Sequence, residues 1–184
     1  MAAADLNMDF IILAAGQSRR FSADMPSPGP AKQFRLLSGK LVLLHSLDAI
    51  GCWPHCGRIM VVLPEEGVNE LVTNQLKEAA RSCPMPVQLI TGGATRTAST
   101  LNGLRALAEG EHSTSVAVHD AARPFVPHHV LDALLAARKT GADGAVPALP
   151  ITDTVKQVDR EQIILSTIDR TSLRRVQTLS LIHI

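Results

Sequence analysis

The residues best suited to chemistry are Arg19 and Arg20, with Lys32 a short way downstream. They follow Leu13-Ala14-Ala15-Gly16-Gln17-Ser18, a run of mostly small side chains after the apolar stretch Phe10 to Leu13. Small residues and a glycine let backbone N–H groups approach an anion, and arginine adds fixed positive charge. A nucleotide triphosphate suits such a loop. No Gly-Lys-Ser or Gly-Lys-Thr occurs in the chain, and the loop lacks G-x-G-x-x-G, so it is neither a common P-loop nor a dinucleotide fingerprint. Between the arginines and Lys32 lies Ser22–Pro30, with three prolines and a glycine, which reads as a loop able to lie over a phosphate chain.

Elements that could position these groups alternate along the chain. Phe10–Ala14, Arg58–Leu63, Val87–Thr91, Ser115–His119 and Gly144–Leu149 are short and apolar, as strands buried on both faces should be. Helical patterns lie between them. Leu41–Ile50 places Leu43, Leu44, Leu47 and Ile50 on one side; Glu66–Arg81 does so with Val68, Leu71, Val72 and Leu76. Thr97–Ala108 uses Leu101, Leu104 and Leu107, and a helix opening at Pro127 uses Val130, Leu131, Leu134 and Leu135. This alternation predicts an α/β fold, a mostly parallel sheet with helices on both faces. Beyond Pro150, Thr154–Val158 and Gln162–Asp169 read as a projecting β-hairpin that needs a partner to cover it.

Ligands of open α/β sheets bind beyond the carboxyl ends of the strands. Those ends here carry Ala14–Arg20, Gly92–Ser99, His119–Pro124 and Thr152–Lys156, all polar, glycine-rich or charged. Each also has a plainer role. Arg19 reads as structural or exposed, Asp120 as a helix N-cap, and Arg123 as a brace paired with Asp120. Cys52-Trp53-Pro54-His55-Cys56 hints at a metal site, but it lacks a second ligand pair at finger spacing, so zinc is not expected. His128 and His129 read as exposed, and His45 as lying on a helix flank.

Composition narrows the class. The chain has 184 residues, 46% hydrophobic and 19% charged, which fits one globular domain. A formal net charge of +1 and 3% aromatic residues offer no electrostatic footprint or stacking platform for nucleic acid. No apolar run approaches the ~18 residues of a membrane span. Three cysteines and no basic-then-apolar leader point to a cytoplasmic protein.

Taken together, the segments resemble the cytidylyltransferases that make CDP-methylerythritol from 2-C-methyl-D-erythritol 4-phosphate and CTP. The matching motifs are Ala14-Ala15-Gly16-x-x-Arg19-Arg20, Lys32-Gln33, Gly92-Gly93-x-x-Arg96-x-x-Ser99, His119-Asp120-Ala121-Ala122-Arg123-Pro124, Asp153-Thr154-Val155-Lys156 and Thr167-Ile168-Asp169-Arg170. They come in the family's order and span residues 9–178. The first loop alone indicates only a nucleotidyltransferase; the His-Asp-Ala-Ala-Arg-Pro block is specific. Ribitol 5-phosphate cytidylyltransferases share the motifs, so the acceptor stays open. Other nucleotidyltransferases, and a nucleotide-binding remnant without turnover, are the competing readings.

The resemblance implies a Rossmann-like nucleotidyltransferase fold and a role for each matched residue. Ala14, Ala15 and Gly16 would lie against the nucleotide, with Arg20 and Lys32 on the triphosphate as catalytic cations. Gly93, Ala94 and Ser99 would select cytosine, and Ala121 would sit by the ribose. Asp120 would sit by Mg²⁺ and substrate. Thr154 and Arg170, on the hairpin arm at about 152–170, would hold the substrate phosphate of the other subunit in a homodimer.

The sequence departs from the family pattern at Ala31, usually proline; at Ala94, commonly acidic; in a longer loop before Lys32; and after Thr178. The family continues there with Pro-Gln and a later Asn-x-Lys-x-Thr segment. Here Leu179-Ser180-Leu181-Ile182-His183-Ile184 follows instead. The expectation is therefore a single domain over 1–184 that is incomplete at its C-terminus.

Overall fold

In the computed structural model, which describes residues 7–16, 29–66, 68–109 and 115–183, β1 (Met8–Leu13) lies in the middle of the main sheet. Its alternate side chains enter two cores. Met8, Phe10 and Ile12 join one apolar cluster and Ile11 joins the other. A strand flanked by helices on both sides needs apolar residues at every such position, which explains the unbroken hydrophobic run.

A small two-stranded ribbon follows, β2 (Leu36–Leu37) with β3 (Lys40–Leu41), its turn closed by Ser38 and Gly39 at positive φ. Then come α1 (Val42–Gly51), β4 (Cys56–Leu63), α2 (Glu70–Ser82), β5 (Val87–Thr91), α3 (Arg96–Ala108), β6 (Ser115–Asp120) and α4 (His128–Lys139). The remaining strands are β7 (Gly144–Ala145), β8 (Ala148–Pro150), β9 (Val155–Val158), β10 (Ile164–Ile168), β11 (Arg174–Val176) and β12 (Ser180–His183). The main sheet has the order β5-β4-β1-β6-β12-β7. Strands β5, β4, β1 and β6 run parallel, while β12 is antiparallel to both neighbours.

Helices cover both faces, as the alternation of elements predicts. Leu43, Leu47 and Ile50 of α1 and Leu131, Leu134 and Leu135 of α4 pack on the face of Phe10 and Ile12, together with Leu76 of α2. Leu107 of α3 packs with Ile11, Met60 and Val62 on the other face. Gly103 permits that approach: a Cβ there would stand 2.8 Å from Ile11 Cγ2.

Several sequence expectations need correction. Helix α2 starts at Glu70 instead of Glu66, because Asn69 caps it by accepting the N–H of Val72 at 2.9 Å. Leu71 and Leu101 are exposed and not part of the core. Pro127 is the N-cap of α4, one position before the helix. The single strand expected at Gly144–Leu149 is two strands. β7 stays in the main sheet, while β8 leaves it to pair with β11. The hairpin itself forms, with β9 and β10 antiparallel. Residues 180–183, where the motif pattern departs from the family, form β12 between β6 and β7.

The chain passes from β5 back across β1 to β6, so the strand order reverses at β1. In doubly wound sheets the crevice at such a reversal is where ligands bind. The loops after β1, β5 and β6 open at that end.

Candidate active site

Backbone hydrogen bonds join the strand ends. The N–H of Ala14 donates to Val62 O (2.8 Å), that of Ala121 to Leu13 O (3.0 Å), and that of Gly92 to Leu63 O (2.7 Å). Ala14 and Ala121 are buried, so they form the floor from which the loops rise. Ala15 is half-buried and Gly16 exposed, with nothing within 4 Å of a would-be Gly16 Cβ. Of Ala14, Ala15, Gly16 and Ala121, Ala15 and Gly16 are the ones that reach the surface.

The glycine pair after β5 is set by close packing. A Cβ on Gly92 would lie 2.7 Å from Ala15 Cβ, and one on Gly93 would lie 2.5 Å from Ala98 Cβ. The Ser99 hydroxyl is buried beneath this turn, accepting the N–H of Gly93 (3.1 Å) and donating to Gly93 O (3.3 Å). Ser99 thus shapes the Gly93 backbone from below, while Gly93 and Ala94 are exposed above it. Thr95 caps α3, its hydroxyl accepting the N–H of Ala98 at 3.1 Å.

Asp120 ends β6 half-buried, and its carboxylate accepts from the Arg96 guanidinium at 2.9 Å. It is not a helix N-cap, and its side-chain partner is Arg96 and not Arg123. Arg123 points its guanidinium at Gln177, and its backbone N–H donates to Asp120 O at 3.0 Å. The Arg96–Asp120 pair links the start of α3 to the end of β6 across the crevice. Beneath the loop, the Arg123 carbonyl accepts from His119 Nε2 (3.0 Å) and Ser46 Oγ (3.0 Å). Burial lowers the His119 pKa, keeping a neutral ring whose Nε2–H holds the turn.

Lys32 opens a short 3₁₀ turn, Lys32–Phe34, and its side chain is exposed. The next residue, Gln33, is buried, and its Nε2 donates to Ala14 O (2.6 Å) and Gly16 O (2.8 Å). Lys32 is thereby placed beside the loop after β1. Arg19 and Arg20 lie outside the described residues.

Thr154 and Arg170 belong to the exposed arm. Arg170 donates to the Thr152 carbonyl, and Asp169 stops the strand by accepting the N–H of Thr171 at 3.0 Å. That hydrogen bond holds the Asp169 carboxyl below its usual pKa. Neither Thr154 nor Arg170 is brought to the crevice of its own chain by any hydrogen bond among the described residues. Val158, Ile163, Ile164 and Leu165 of the arm are exposed.

Among the described residues no group of three or more histidine, cysteine or acidic side chains could hold a metal. Cys56 is buried, and burial, with Cys83 and Asp9 nearby, pushes its thiol up to about 12. His128 is exposed, and His45 is half-buried with Nε2 2.9 Å from Leu37 O. No helix among the described residues is long and apolar enough to cross a membrane.

Of the residues whose side chains hold the loops of this crevice together, Gln33, Ser46 and Arg96 carried no functional assignment from sequence. Gln33 and Arg96 sit inside recognisable motifs, which was the available signal; Ser46 had none.

A bifunctional IspD/IspF enzyme from Rhizobium rhizogenes is 35% identical over 94% of this chain, and the chain spans 41% of that protein. The 2-C-methyl-D-erythritol 4-phosphate cytidylyltransferase of Haemophilus influenzae is 37% identical over 91% of this chain and 67% of its own length. The crystal structure of 4-diphosphocytidyl-2C-methyl-D-erythritol synthase from Anaerococcus prevotii superposes with a TM-score of 0.77 at 23% identity, covering 98% of this chain and 72% of that one, which shows a shared fold. The IspD model, 2-C-methyl-D-erythritol 4-phosphate cytidylyltransferase, matches residues 8–182, and the chain belongs to that family.

Proposed function

We propose that this protein transfers CMP from CTP to 2-C-methyl-D-erythritol 4-phosphate, giving CDP-methylerythritol and pyrophosphate. The observation that carries the reading is the convergence, at the β1–β6 reversal, of Gly16, the Gly92-Gly93 turn, Asp120 and the Lys32 turn in a chain matched along its length by this family. An oxygen of the acceptor's phosphate attacks the α-phosphorus, and the bond from that phosphorus to the pyrophosphate oxygen breaks. A phosphate monoester has a second pKa of ~6 and is already mostly dianionic, so no general base is needed. The barrier is repulsion between anions, which Lys32 and Arg20 would relieve as fixed cations. The exposed Gly93 and Ala94 backbone, shaped by Ser99, would read the base.

Asp120 fits a magnesium site, since Mg²⁺ commonly takes one or two carboxylates and fills its remaining positions with phosphate oxygens and water. Bound there, the ion would supply charge neutralisation for the triphosphate and the departing pyrophosphate. Asp120 would then divide its oxygens between the ion and Arg96.

The test is pyrophosphate release with each nucleotide and each acceptor. CTP with methylerythritol phosphate is expected to turn over, and UTP, ATP and GTP poorly. Faster turnover with ribitol 5-phosphate would reassign the acceptor, and equal use of all four nucleotides would refute the base-reading role of the glycine turn.

The exposed apolar arm supports a homodimer in which Thr154 and Arg170 reach the neighbouring site. Lys32→Ala and Arg170→Ala variants, each inactive alone, are expected to recover part of the activity when mixed. Mixed dimers then contain one site with neither lesion. No recovery after verified subunit exchange would return the arm to its own subunit.

A further inference from the structure

Gln33 is 3% exposed, and both hydrogens on its side-chain amide nitrogen have acceptors 17 and 19 residues away in sequence, the carbonyls of Gly16 and Ala14. Two carbonyl acceptors identify the atom facing them as the NH₂, because an amide oxygen there would meet like partial charges. Strand pairing of β1 ends at the Ala14 N–H, bonded to Val62. Beyond that point the Ala14 and Gly16 carbonyls take a partner from Gln33. A carbonyl oxygen held against a buried amide is turned away from a phosphate that approaches the loop. The same contact ties the main chain next to Lys32 to the strand end.

We infer that Gln33 is a positioning residue for cytidylyl transfer, holding Ala14–Gly16 in the nucleotide-receiving conformation and setting Lys32 beside it. This rests on the function proposed above. Three substitutions separate the parts. Gln33→Met keeps the length and apolar stem and removes both donors. Gln33→Glu keeps the shape and puts carboxylate oxygens against two carbonyl oxygens. Gln33→Asn keeps the donors on a stem one methylene shorter.

The experiment is calorimetric titration of the full chain with CTP and magnesium, alongside amide hydrogen exchange. A merely structural role lowers the folded fraction and so the binding stoichiometry, leaving the dissociation constant unmoved. The positioning role predicts unchanged stoichiometry and a dissociation constant raised about tenfold in Gln33→Met, the scale of one lost hydrogen bond to a buried group. Gln33→Glu is expected to be weaker still, and Gln33→Asn to lie between Gln33→Met and wild type. Exchange at Ala15 and Gly16 should quicken in Gln33→Met. Wild-type affinity in Gln33→Met would overturn the inference. Failure of the wild-type chain to bind CTP would instead count against the proposed function, and unchanged exchange in Gln33→Met would then overturn the inference by itself.

Discussion

Lys32→Ala is expected to lower the rate of pyrophosphate release by ~100-fold or more, the usual scale for removing one oriented transition-state contact. The reasoning begins with placement. Lys32 opens a turn whose next residue is buried and hydrogen-bonded to Ala14 O and Gly16 O, so its main chain has little freedom relative to the loop after β1. Its side chain is exposed at that edge. In the proposed reaction, a cation held there would meet charge as it grows on the α-phosphate without reorganising water at the moment of reaction. Lys32→Arg is not expected to rescue, because a planar fork cannot occupy the volume of a compact ammonium with the same geometry. Single-turnover measurements would place the loss in the chemical step. Turnover within a few-fold of wild type in Lys32→Ala would move the centre of catalysis away from this turn.

The parts of the fold that were legible in the sequence are those set by local pattern. β1, β4 and β6 announce themselves as apolar runs because each is covered on both faces, while the edge strand β5 offers only the partly buried Val87, Leu89 and Ile90. The misplaced features share a different cause. Leu71 and Leu101 fall on helical spacing with core residues, yet lie at the rim of their stripes, where periodicity does not decide exposure. The break between β7 and β8 comes from a competition that no local pattern reveals: Ala148–Pro150 pair with Arg174–Val176, more than twenty positions away, at the base of the arm.

The site divides in the same way. Gly16, the Gly92-Gly93 pair and Asp120 were visible because loops after strands must be small or charged to meet a ligand. Their supports were not. Ser99 acts from beneath, through Gly93 N and O. The partner of Asp120 is Arg96, twenty-four positions earlier, although Arg123 is the nearer cation in sequence. Pairings of that kind depend on how α3 crosses the sheet, and Gly103 against Ile11 sets how closely it does so.

Asp9→Ala is expected to cost about 3–5 kcal/mol of stability, the range for breaking a buried ion pair by removing one partner. Asp9 is an acid in the central strand of the sheet, 1% exposed. It is tolerated because the β1–β4 register shifts between Met8 and Phe10, placing an extra residue on β4. Asp9 Oδ1 accepts the backbone N–H of Arg58 at 2.7 Å, standing in for a ladder partner at that irregularity. Oδ2 accepts from the Arg58 guanidinium at 3.0 Å. The same guanidinium donates to Leu107 O (2.8 Å) and Glu109 O (3.2 Å), satisfying carbonyls at the end of α3. Alanine at position 9 strands both the N–H and the half-buried cation, and thermal unfolding should fall by roughly 10 °C for a chain of this size. Asp9→Asn should lose less, since its amide oxygen can still accept from the Arg58 N–H. The double variant Asp9→Ala with Arg58→Met should recover part of the loss by removing the cation that would otherwise lack its counter-charge. Denaturant unfolding of wild type, Asp9→Ala, Arg58→Met and the double variant forms a cycle that isolates the pair. A cost below about 1 kcal/mol for Asp9→Ala, the level of an exposed pair, would mean that water reaches this end of the strand and that the β1–β4 irregularity is held by something other than Asp9.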